Sequence, residues 1–147
     1  MATQDARGCE VAADEAAEEV NSYRFNLLHC LAEGLPDLHD PRYDVLKSAP
    51  PGGCSAGRYG DYFCLRCERP GVNLLDAVAP VCAEVRGASG VLMTDLGVEG
   101  LWEWTADGPD GHGATIVAQL LLMAAERGSL IGYGVEDLVR FLRTAAG

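Results

Sequence analysis

The sharpest chemical pattern in the chain is Cys64-Leu65-Arg66-Cys67, with Cys54 ahead of it and Cys82 behind. A Cys-x-x-Cys pair can give two thiolates to a tetrahedral zinc, and two further cysteines would close a structural site. Only one of the two knuckles of a zinc ribbon is present. Cys82 also falls on the apolar side of an expected helix, where a free thiol behaves as a small hydrophobe. A redox role for the motif would need a surrounding βαβ unit, and the flanking segments do not supply one. The leading expectation is no metal and no cofactor, with zinc on Cys54, Cys64, Cys67 and Cys82 as the alternative.

His29 and Cys30 are adjacent, so on a helix they point about 100° apart and cannot pair as base and nucleophile. His29 is expected as a partly exposed helical residue. His112 stands between Gly111 and Gly113. Glycines ahead of a helix can cradle phosphate, but the P-loop lysine is missing and Asp107 and Asp110 would repel the ligand. Glu103 and Asp107 form an acid and base pair on paper, although two acids beside a turn are turn formers first. No nucleophile, base and oxyanion donor converge, and the chain is expected not to be an enzyme.

The elements around these residues read as mainly α. Ala16, Val20, Tyr23, Leu27 and Leu31 recur at helical steps, which predicts a helix over about Cys9–Glu33. Residues 35–71 are rich in Pro and Gly and predict a long loop, in which Tyr59–Cys67 could form a short strand. Val72–Arg86 has helical spacing with Pro80 as a kink or break. Val91–Trp104 fits two short helices or two short strands. Ala114–Arg127 is apolar nearly all round and is expected at the centre of a core. Val135–Thr144 completes the set as an amphipathic helix.

The chain has 147 residues, 48% of them hydrophobic, which suits one domain over 1–147 with one core. Lys and Arg total 11 against 22 Asp and Glu, a net charge of −11. Nucleic acid and anionic membrane surfaces need a basic footprint, so both are excluded as partners. No run reaches the ~18 apolar residues of a membrane span, and Met1–Glu10 does not read as a secretory signal. Reduced cysteines and a cytoplasmic location follow as expectations.

The segment order resembles the B-cell-lymphoma (Bcl) family of apoptosis regulators. Glu19-Val20-Asn21-Ser22-Tyr23-Arg24 looks like that family's first-helix signature. Trp104-Thr105-Ala106-Asp107-Gly108, followed by Gly113 and Ile116-Val117-Ala118, is similar to its first homology motif. Gly111-His112-Gly113-Ala114 departs from the family's Asn-Trp-Gly-Arg, and the absent Arg alters the expected ligand choice. The resemblance implies a helical bundle around a buried central helix, most like the viral members. Its function would be to sequester a partner's amphipathic helix in an apolar groove and inhibit apoptosis. Val91, Leu92, Trp102, Trp104 and Val117 would line or support that groove, with Asp107, Gly108 and Gly113 shaping its edge. A homodimer is left open. The alternative is an α+β adaptor carrying the zinc site named above.

Overall fold

The computed structural model describes residues 19–34 and 36–147. Ser22 to Leu27 alternate polar and apolar, and a period of two makes a strand with one dry face. Strand β1 (Asn21–Leu28) accordingly buries Tyr23, Phe25 and Leu27. The helix expected over Cys9–Glu33 is overturned here, and its stretch up to Glu18 lies outside the described residues. The segment matched to a first helix is thus largely strand.

The region expected as a loop over 35–71 is mostly regular. It holds a 3-10 turn at Pro41–Tyr43, the short helix α1 (Asp44–Ser48) and the hairpin β2 (Cys54–Tyr59) and β3 (Tyr62–Gly71). Only Gly60 and Asp61 join the two strands, and Gly60 takes φ +61°, a conformation that L side chains resist. The sheet is antiparallel with order β1-β3-β2. Its register sets Leu27 opposite Leu65, and Phe25 and Cys54 on either side of Cys67.

Helix α2 (Leu74–Ser89) starts at Asn73, whose side chain accepts the Asp76 N–H at 2.9 Å. Pro80 lies inside this helix without splitting it. Leu74, Ala77, Val78, Val81, Cys82 and Val85 are buried and share one core with Phe25, Leu27, Phe63, Leu65 and Cys67 of the sheet. Each such side chain removed from water stabilises the fold by roughly 1.5–3 kcal/mol when it is a Val, Leu or Phe. Arg69 of β3 forks onto Glu84 of α2 at 2.8 and 3.1 Å, fixing helix to sheet.

Helix α3 (His112–Leu130) does not hold the central place that its composition predicts. Ile116, Ala118 and Gln119 are buried, but Leu120 and Leu121 are each 47% exposed. The sheet already covers the position that surrounding helices would have taken, so α2 is the central helix and α3 packs at the rim. The fold is α+β, with a three-stranded antiparallel sheet and four α-helices among the described residues. The expected mainly-α bundle is corrected by that sheet. Helix α4 (Val135–Ala146) is amphipathic, yet buries no residue fully. No helix among the described residues is long and apolar enough to cross a membrane.

Val91–Trp104 is neither two helices nor two strands. Its first part runs beside the end of β1, where the Leu28 N–H donates to the Asp95 carbonyl at 2.8 Å and the Thr94 N–H to the Leu28 carbonyl at 3.0 Å. The Thr94 hydroxyl also bonds both the N–H and the carbonyl of Cys30, standing in for a strand neighbour. The rest is irregular apart from a 3-10 turn at Leu101–Glu103.

His29 is buried at 4% exposure, not half-wet on a helix. Its Nδ1 lies 2.7 Å from the Tyr43 hydroxyl, and Tyr43 stacks on Phe63 with ring centres 4.3 Å apart. Burial, helped by the nearby Arg42 charge, lowers the His29 pKa below 6.5. The unfolded chain therefore takes up a proton that the folded chain refuses, and stability falls as pH drops below about 6.5. Unfolding midpoints measured between pH 5 and 8 are expected to show this loss, and His29→Gln to flatten it.

Candidate functional site

The site is built from the sheet outward. Gln119 of α3 is 2% exposed and its amide makes three hydrogen bonds to the backbone. Its Oε1 accepts the N–H groups of Leu96 and Val98, each at 3.0 Å, and its Nε2 donates to the Val98 carbonyl at 2.8 Å. This clamp fixes the point where the segment beside the end of β1 turns away and begins the loop of residues 98–111.

The far end of that loop is tied twice. The Asp107 carboxylate accepts the N–H groups of His112 and Gly113, each at 3.0 Å, and so satisfies orphan donors at the start of α3. The Tyr23 hydroxyl of β1 donates to Asp110 at 3.3 Å. Gly113 is buried beneath the loop, and a Cβ there would collide with the Thr105 carbonyl oxygen. The glycine is therefore a requirement of close approach.

Those donors, Gly113 foremost, hold the Asp107 carboxyl below its usual 3.8. Its contribution to stability is present above pH 3.8 and is lost as pH falls through the lowered folded value. Asp107→Ala is expected to speed hydrogen exchange at the His112 and Gly113 amides at neutral pH, with exchange in β3 unchanged.

Held at both ends, the loop presents Trp102 at 83% and Trp104 at 51% exposure. A groove of about 370 Å³ lies on one side of Trp104. Leu75 of α2, Ala106, Pro109, Ala114 and Val117 line it with Trp104, and Asn73, Thr105, Gly108 and Gly113 complete its wall. On the Trp102 side is a more polar hollow of about 510 Å³, lined by Tyr59, Val98, Glu99, Glu103 and His112. Glu99, Glu103, Asp107 and Asp110 are all exposed along this loop. No Lys or Arg occurs between Arg86 and Arg127.

Of the eight residues expected at a groove, Trp104, Gly108, Gly113 and Val117 line this one. Trp102 borders the neighbouring hollow, and Asp107 acts through the helix start. Val91 is corrected to a core residue at 4% exposure, and Leu92 beside it lines neither groove. Leu75 and Pro109 were not among the expected residues. Leu75 shares the apolar spacing of α2 and is hidden by it in the sequence. Pro109 reads only as a turn former.

The alternative zinc site does not assemble. Cys64 and Cys67 are three residues apart on one strand, so their side chains leave opposite faces of the sheet. No group of three or more His, Cys, Asp or Glu side chains among the described residues is placed to hold a metal ion. The Cys30 thiol is pushed up by burial, which is the reverse of nucleophile activation. His29 is engaged with Tyr43. No protein-family model matches the chain, and comparisons with curated proteins and with solved structures gave no match.

Proposed function

We infer that this protein is a binding module that captures an amphipathic segment of another protein, with Trp104 and Val117 as the apolar floor and the acidic loop as the rim. The observation that carries this reading is the pair of exposed tryptophans on a loop fixed at both ends. Tryptophan is the residue most enriched among interface anchors, and a loop ordered before binding loses little entropy on capture. The partner is a peptide segment with apolar anchors at helical spacing and at least one Lys or Arg beside them. The anchors fill the groove at Leu75, Trp104 and Val117. The cation lies along Glu99, Glu103 and Asp110, where opposite charge steers encounter and selects the partner. This proposal keeps groove capture from the sequence reading. The apoptotic role implied by the resemblance is not carried into this proposal.

The test is a titration with a series of amphipathic peptides that share their apolar anchors and differ in flanking charge. Micromolar binding is expected for the Lys and Arg members, weakening as salt is raised. Trp104→Ala and Val117→Asp should each weaken it by roughly 10- to 100-fold, as expected for loss of a central anchor. Equal binding of the acidic members, or indifference to both substitutions, would sink the proposal.

A further inference from the structure

We propose that Cys54 and Cys67 form a redox-active pair that closes to a cross-strand disulfide by exchange with a low-molecular-weight disulfide such as oxidised glutathione. The two residues are direct cross-strand partners, so both side chains leave the same face of the sheet. Their sulfurs lie 2.8 Å apart, while the structure holds both as free thiols. Cys54 gives its N–H to the Pro51 carbonyl, and the next bond across the strands runs from the Glu68 N–H to the Gly53 carbonyl at 2.9 Å. The pair therefore sits at a non-hydrogen-bonded position, where facing side chains come closest. Arg69 fixes this end of the hairpin by bonding the Gly52 carbonyl and Glu84 at once. The Cys-x-x-Cys spacing that draws attention in the sequence is not the reactive one, because Cys64 lies on the other face.

The two thiols are unequal. Cys67 is buried at 4% exposure, and burial with the adjoining Cys54 sulfur pushes its thiol well up. Cys54 is half-buried and is the thiol that a reagent reaches. Its thiolate attacks one sulfur of the small disulfide. That S–S bond breaks, a mixed disulfide forms on Cys54, and one glutathione thiolate leaves and takes a proton. Cys67 then gives up its proton and attacks the Cys54 sulfur, and a second glutathione leaves protonated. Two protein thiols are oxidised and one small disulfide is reduced to two thiols. Cys54 is the thiol reached first, so the mixed disulfide on Cys54 precedes the closed bond. The closed bond ties β2 to β3 beyond their backbone pairing.

The test is to hold the folded, full-length protein in glutathione buffers of increasing oxidation, quench with acid and map the peptides by mass spectrometry. The expected product has lost two hydrogens and joins the Cys54 peptide to the Cys67 peptide. A transient glutathione adduct on Cys54 should precede it. Cys67→Ser should stop at that adduct, Cys54→Ser should form neither species, and Cys64→Ser should behave as the parent. The unsubstituted protein carries the decisive result, so a variant that fails to fold does not block the test. A crosslink through Cys9, Cys30, Cys64 or Cys82 in its place, or adducts that never close, would overturn the assignment.

Discussion

Replacing Gln119 by Leu is expected to lower the unfolding free energy by about 2–6 kcal/mol, since the buried Leu96 N–H and the half-buried Val98 N–H each lose a partner at roughly 1–3 kcal/mol. The leucine fills the same space but cannot accept from Leu96 and Val98, and the Val98 carbonyl loses its donor as well. For a chain of this size each kcal/mol shifts the melting midpoint by roughly 2–4 °C, so a fall of about 4–24 °C is expected. Urea unfolding gives the energy directly. Peptide capture should weaken in the same variant, because Val98 is where the tryptophan loop is anchored. A loss under about 1 kcal/mol would mean that water or a shifted backbone takes over the amide's role.

The second large effect separates the two architectures. Leu65 is fully buried between the sheet and α2, and Leu65→Ala is expected to cost about 2–5 kcal/mol through lost burial and a residual cavity. Leu121 is 47% exposed, and Leu121→Ala should cost under about 1 kcal/mol. A bundle built around α3 reverses that order. Paired urea melts of the two variants decide it, and equal losses would place α3 in the core after all.

Most of the helices could be read from the sequence, but of the sheet only the short strand within Tyr59–Cys67, which overlaps β3 at residues 62–67. Helices α2, α3 and α4 fall close to the expected spans because their apolar spacing is long and their ends carry glycine. β1 reads as helix in the sequence because Tyr23 and Leu27 satisfy two periods at once. They are four apart, which fits a helix, and Phe25 between them makes a strand of the same residues. The alternation from Ser22 to Leu27 was the signal that distinguishes the two. The rest of the hairpin is hidden by its own Gly and Pro residues, which mark turns at Gly52, Gly53 and Gly60 but conceal β2 and the full ten-residue length of β3. The apolar surface of α3 reads as burial in the sequence, because hydrophobic composition cannot distinguish a core from an interaction surface.

The candidate site was partly legible. Trp104, Gly108, Gly113 and Val117 are close in sequence and turned out close in space, because the loop and the start of α3 fold back on each other. Leu75 comes from another helix, and only the packing of α2 against α3 brings it there. Val91 was apolar and nearby in sequence, but the bridge between Leu28 and Asp95 draws its segment into the core. The cysteines illustrate the same limit. Spacing singled out Cys64 with Cys67, and strand register pairs Cys67 with Cys54.

The measurement that bears most directly on groove capture is a map of backbone amide shifts as the tightest basic peptide is added to labelled protein. The largest changes are expected at Asn73, Leu75, Trp104–Gly108 and Gly113–Val117, with a second set at Glu99 and Glu103, and little change across β2 and the exposed face of α4. Changes concentrated on α4 or on the open face of the sheet, with the tryptophan loop silent, would contradict the assignment of the binding site.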